Sequence, residues 1–163
     1  MHHTLQDVLV RKSPVLAVMD ANDNLDEAAA RMNRLDVGAM VILCGGGFVG
    51  VLSDRDVLKW VGSGKRLADV LIVEALPSDN VVAEVGTTVR EALELMTQHR
   101  RRHLAVLAAG QPMGLVSIGD LLHFVADDLG GLVTDLVSYI HGPSAWVDTY
   151  VSQQHLPESS PDP

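Results

Sequence analysis

The chain has 163 residues and a mass of 17.5 kDa, room for one ordinary domain or two very small ones. Hydrophobic residues at 47% and charged residues at 20% exclude a wholly disordered chain. Twelve basic against 21 acidic residues leave a formal charge of −9, which repels nucleic acid, and 4% aromatics offer no stacking platform for single strands.

The chain opens Met1-His2-His3 without a charged-then-apolar leader, so a cytoplasmic location is expected. Residues 15–19 are a short apolar stretch of β type. Leu25, Ala28, Ala29, Met32 and Leu35 then follow at helical spacing. Asn24 suits the N-cap, with Glu27 three residues on to complete a capping box. Two strands, 39–43 and 49–52, flank Gly45-Gly46-Gly47, the turn chemistry of a hairpin. The apolar run 39–44 is far too short to span a bilayer, so no membrane partner is expected. Cys44, the only cysteine, excludes an intrachain disulfide and a Cys-rich metal site, and is expected to fill a small core position. A helix starting after Ser53 carries Val57, Leu58 and Val61. From Gly62-Ser63-Gly64 to about Pro77 the chain crosses over, with a short helix expected at 67–71.

The second half has the same order. Strand 81–85 precedes a helix carrying Val89, Ala92, Leu93 and Met96, with Thr88 and Glu91 as its capping box. Strands 104–107 and 113–116 flank Ala109-Gly110-Gln111-Pro112, and a last helix after Ser117 carries Leu121, Leu122 and Val125. Beyond it, Leu129, Leu132, Val133, Leu136 and Ile140 mark an amphipathic helix over 127–140. Gly130-Gly131 weakens its start by about 1 kcal/mol per glycine relative to alanine. Trp146, Val147, Tyr150 and Val151 form a packing segment, and residues 153–163 are expected to be disordered.

Sliding the chain by 64 positions aligns the halves without a gap. Gly50-Val51-Leu52-Ser53-Asp54-Arg55-Asp56-Val57-Leu58 falls on Gly114-Leu115-Val116-Ser117-Ile118-Gly119-Asp120-Leu121-Leu122, and Glu27, Ala28 and Met32 fall on Glu91, Ala92 and Met96. A β-α-β-β-α unit of about 50–60 residues is small for an independent core. The expected fold is therefore α+β, two pseudosymmetric repeats whose small sheets pack with helices. The expected divisions are 1–70, 71–130, a C-terminal helix and packing segment at 131–152, and the tail 153–163.

Ser-x-x-Asp at a helix start is first a capping device. The run from Gln98 to His103 is the only dense basic cluster, and a solvated helix C-terminus would also explain it. Strand alternation sends Arg102 and His103 to opposite faces. Their first-repeat counterparts, Gly38 and Ala39, carry no charge, and Arg55 has Gly119 as its counterpart, so two clefts of unequal affinity are expected. Arg55 is equally explained by a surface pair with Asp54. The glycine triplet lacks the Lys-Ser/Thr of a phosphate loop. No nucleophile elbow or His-Glu-x-x-His is present, so no enzyme is expected. A metal site on His99 and His103 is disfavoured because the helix should end between them.

These motifs resemble a tandem pair of CBS domains, the Bateman module, in its stand-alone two-CBS form. Arg101-Arg102-His103-Leu104-Ala105-Val106 and Gly114-Leu115-Val116-Ser117-Ile118-Gly119-Asp120-Leu121 are similar to the family's "RHLPV … GIVSIGDL" run. Val37-Gly38-Ala39-Met40-Val41-Ile42 and Ser53-Asp54-Arg55-Asp56 resemble "IGALVV … SERD". The resemblance spans about residues 4–142 and departs at Ala105, usually proline, and Leu76, often methionine.

It implies a regulatory module that binds an adenosine-containing ligand (AMP, ADP, ATP, NAD(H) or S-adenosylmethionine) in clefts between the repeats. It also implies a homodimer acting on a client protein, with no cofactor required. Carried over by position, Asp56 and Asp120 would hold ribose hydroxyls and Ser53 and Ser117 would assist. Arg55, Arg102 and His103 would face phosphate, and Val18 and Val82 would sit beside adenine. A carboxylate at a helix N-terminus can accept both hydrogens of a cis-diol, and the neighbouring N–H groups suit an anion. The alternative is a protein-interaction module without nucleotide, whose segment from Leu132 to Val151 docks a partner.

Overall fold

Each repeat turns from strand into helix where a side-chain oxygen takes over backbone N–H groups that the helix leaves unpaired. Asn24 caps α2 (Leu25–Leu35) by accepting from the Glu27 N–H at 2.9 Å. At Thr88 the capping box of α5 (Val89–Gln98) is complete. Ser53 caps α3 (Asp54–Val61), again with a complete box. The computed structural model describes residues 3–12 and 16–128. Val15, the helix expected from 127 to 140 beyond Asp128, the packing segment and the tail lie outside them.

Two three-stranded sheets result. In the first, β1 (Val18–Asp20) runs parallel to β2 (Ala39–Cys44), which pairs antiparallel with β3 (Gly47–Ser53). The second sheet repeats this with β4 (Val82–Glu84), β5 (His103–Ala108) and β6 (Gln111–Ser117). A parallel pair needs a crossover, supplied by α2 and α5. Both hairpins carry a bulge at the same place, after Ile42 and after Val106. Both turns place two residues at positive φ, Gly45 and Gly46 in one and Ala109 and Gly110 in the other, the geometry of a two-residue hairpin. Helix α6 (Ile118–Asp128) follows β6, and along it His123 lies 3.7 Å from Asp127.

β3 lies against β5 and β6, and β2 against β6, so residues of both parities are buried along β2. Met40 and Ile42 join Leu25, Ala28, Met32, Leu52 and Val57 in the first core. The alternating Ala39 and Val41 are buried as well. Met32 and Met96 are both core residues. Burial of both faces without further elements is what two small repeats gain by packing together.

The opening helix of each repeat packs on the other repeat. In α1 (Leu5–Arg11), the N–H groups of Leu5 and Gln6 donate to the carbonyls of Thr87 (2.8 Å) and Val85 (3.0 Å). In α4 (Ile72–Ala75), those of Ile72 and Val73 donate to Asp23 (2.8 Å) and Ala21 (3.0 Å).

Several sequence expectations are corrected. The first strand begins at Val18, not at residue 15, and the second copy is Val82–Glu84 rather than 81–85. The crossing segment holds a 3-10 turn, Leu67–Asp69, and then α4, instead of one helix at 67–71. Cys44 is exposed, not core, because it is the last strand residue before the turn, where burial along β2 runs out. Among the described residues, no helix is long and apolar enough to cross a membrane.

Candidate functional site

The first cleft is built on the start of α3. The Asp56 Oδ2 accepts from the Ser53 N–H (3.1 Å) and from the Ser53 hydroxyl. Its Oδ1 accepts from Lys59 Nζ at 2.9 Å and faces Arg101 Nη1 at 3.5 Å. Arg101 donates through Nη2 to Asp79 Oδ1. Asp56 is 2% exposed and the only buried charged residue among those described. A buried carboxylate is tolerable only when its lone pairs are taken. Burial pushes its pKa up, but the Ser53 hydroxyl, Lys59 and the Ser53 N–H together hold it below the usual carboxylate range.

Arg101 arrives here because α5 ends on a left-handed residue, Arg100 at φ +51°, and the Arg101 N–H closes back onto the Met96 carbonyl at 2.9 Å. The first repeat makes the same turn with Asp36 (φ +53°) and the Val37 N–H onto Met32, but presents Val37 where the second presents Arg101. Ser53, Arg55, Asp56, Asp79, Arg101 and Arg102 border a cavity of about 40 Å³. That holds water. Small-molecule sites are typically about 300 Å³ or more, so anything larger than water would fit here only with lining side chains such as Arg101 displaced.

The start of α6, where a second cleft is expected, has the same frame and a different filling. Asp120 Oδ2 accepts from the Ser117 N–H (2.6 Å) and hydroxyl (2.8 Å). The same oxygen accepts from Lys12 Nζ at 2.6 Å, and Lys12 also donates to the Leu115 carbonyl at 3.0 Å. Burial raises the Asp120 carboxyl, and the Lys12 and Ser117 hydrogen bonds more than reverse it.

The remaining residues singled out in the sequence fall in different places. Arg102 donates to Asp54 Oδ1 at 2.9 Å from an exposed position. His103 begins β5 opposite Ser117 and packs on Gly38, where an added Cβ would come within 3.2 Å of its Cε1. Burial lowers the His103 pKa, Arg102 and Lys12 add to this, and Asp54 and Asp120 oppose it. Arg55 is exposed at the mouth of the first cleft. Val18 is half-buried beside Val41, and Val82 is 37% exposed beside Ala105.

Sequence reasoning passed over Lys12, Lys59, Asp79, Asn80 and the orientation of Arg101. Asn80 seats on Gly50, where a Cβ would lie 2.7 Å from its Oδ1. It bonds the edge of β3, accepting from the Val51 N–H (3.2 Å) and donating to the Val49 carbonyl (3.0 Å). A glycine inside a strand, where another group can approach the backbone closely, was the available signal. Among the described residues, no three His, Cys, Asp or Glu side chains gather as a metal site.

The family model for the CBS domain matches the chain twice, at residues 5–63 and 73–127. The CBS domain-containing protein YhcV of Bacillus subtilis is 28% identical over 106 residues, 65% of this chain and 76% of that protein. A crystal structure of a CBS-domain-containing protein from Agrobacterium tumefaciens matches with a TM-score of 0.69 and 27% identity, covering 76% of this chain and 93% of that one. A CBS domain protein from Pyrobaculum aerophilum, complexed with AMP, matches with a TM-score of 0.65 and 25% identity over 72% of this chain and 88% of that one.

Proposed function

This chain belongs to the CBS domain family, whose paired repeats form a regulatory module, and on that premise we propose that it senses an adenosine nucleotide through the cleft at Asp56. The observation that carries the reading is the meeting of a buried carboxylate from one repeat with a guanidinium from the other, 3.5 Å apart at a helix start. The polarity suits a nucleotide: the ribose diol donates to Asp56, while Arg101, Arg102 and Arg55 turn toward the phosphate. The AMP complex of the Pyrobaculum relative supports this ligand class. Arg101 and Asp56 lie on different repeats, so a ligand that parts them favours one arrangement of the repeats over another. Only such differential affinity transmits a signal.

A second copy of the chain completes the proposal. Leu58 and Val61 are exposed apolar residues of α3, and Leu58, Val57, Ala29 and Met32 line a groove of about 450 Å³ between α2 and α3. Sedimentation of purified protein is expected to show a dimer.

The test is isothermal calorimetry with AMP, ADP, ATP, NADH and S-adenosylmethionine on wild type and Asp56→Asn, with a circular dichroism melt confirming that the variant is folded. At least one adenosine compound should bind, and the variant should lose tenfold or more in affinity. Failure of all five compounds ends the reading and leaves the protein-interaction alternative.

A further inference from the structure

The two clefts differ in where their cation comes from. In the first, Asp56 is held by Lys59 of its own helix and Arg101 of the other repeat. In the second, Asp120 is held by Lys12, which lies 108 residues earlier in the chain and immediately follows α1. The corresponding crossing segment, α4 with the residues after it, brings Asp79 and Asn80 to the first cleft, and neither is cationic.

Lys12 is anchored at more than one point. Three residues earlier, Leu9 sits in the hollow over Gly114, where a Cβ would lie 2.4 Å from its Cδ2. At the other end, the Leu5 and Gln6 N–H groups are bonded to Thr87 and Val85. Helix α1 therefore lies along the second repeat with both ends fixed, and its terminal ammonium takes the β6 carbonyl of Leu115 together with Asp120 Oδ2. That oxygen accepts from three protein donors. Asp56 is met by Lys59 and Arg101 in the same way, but those are side chains on elements that stay in place when they swing aside, whereas Lys12 is held at Asp120 by the seating of α1.

We propose that Lys12 is a tethered occupant of the second cleft, so that the chain takes one adenosine nucleotide at Asp56 and admits another at Asp120 only when α1 lets go. The competition is intramolecular, and a side chain on a short tether faces its site at an effective concentration in the mM range. A nucleotide displaces it only when its concentration relative to its own Kd outweighs this local concentration relative to the weak affinity of a single ion pair. The Lys12 and Asp120 side chains are partly exposed, at 36% and 26%, so salt weakens the latch. The nucleotide half of this inference rests on the function proposed above, whereas the latch itself does not.

The experiment has two arms on the full chain, with wild type, Lys12→Met, which keeps the aliphatic stem, and Asp120→Asn. In the first, hydrogen–deuterium exchange without nucleotide reads the amides of residues 5–12. Exchange should quicken several-fold in both variants, and unchanged protection overturns the latch. In the second, AMP is titrated by calorimetry. Wild type should bind one AMP per chain, and Lys12→Met two. Two equal sites in wild type, or a second site weakened by Lys12→Met, overturn the proposal and make Lys12 a bystander or a phosphate ligand. If AMP binds to no protein in the set, the adenosine reading fails, and the exchange arm alone decides whether α1 is latched.

Discussion

Arg101 and Asp56 come from different repeats and meet with 3.5 Å between Nη1 and Oδ1. The guanidinium is mostly buried on its way to Asp79, and the carboxylate is almost wholly so. A mostly buried cation from one repeat thus stands against a buried anion of the other.

Replacing Arg101 by Met keeps the apolar stem and removes that cation. Asp56 retains Lys59 and Ser53, so the expected loss of stability is modest, about 1 kcal/mol by urea denaturation. AMP affinity should fall more, by about tenfold, because a charge-assisted bond to phosphate is lost. If stability falls and affinity does not, Arg101 holds the repeats together without touching the ligand.

His103 gives the protein a pH dependence near neutrality. Its folded pKa lies below the ordinary 6.5, chiefly from burial. The unfolded chain therefore binds the proton more readily, and stability rises with pH between the two values. The contribution is complete above about 6.5 and is lost as pH falls from there through the folded pKa. Asp56 and Asp120 are depressed as well, but their contributions are lost only below the ordinary carboxylate pKa of 3.8, in a separate window. Urea midpoints measured from pH 8 to 5 should decline for wild type and stay nearly flat for His103→Asn. A parallel decline in both would assign the slope to another group.

Much of this was readable in the residues, for local reasons. Leu25, Ala28 and Met32 mark α2 because helix period and burial coincide there, and Ser53 and Ser117 mark helix starts because a cap is a four-residue event. What escaped depends on chain reversal or distance. Helix α1 buries only Leu5 and Val8 and is defined by bonds to Val85 and Thr87, about eighty residues away. The lysine that follows it gives no local sign of Asp120. Arg101 enters the cleft and Arg102 pairs with Asp54 because Arg100 adopts a left-handed conformation, which no run of basic residues announces. Cys44 closes an apolar strand and is exposed because burial ends before the strand does.

The two hairpin turns make a matched test of backbone strain. Gly45 and Ala109 occupy the same turn position, at φ +57° and +49°. A Cβ at Gly45 would meet nothing within 4 Å, so the difference between them is conformational and owes nothing to packing. A left-handed conformation costs a residue with a Cβ about 1–2 kcal/mol. Glycine gives back about 0.5–1 kcal/mol of that through the greater freedom of its unfolded chain. Ala109→Gly should therefore stabilise the protein by about 0.5–1 kcal/mol, a rise in Tm of about 2 °C for a chain of this size. Gly45→Ala should destabilise by a similar amount. Thermal melts of both variants check the pair. If Ala109→Gly lowers the Tm, the second turn is not left-handed at Ala109, and the symmetry of the hairpins ends at their tips.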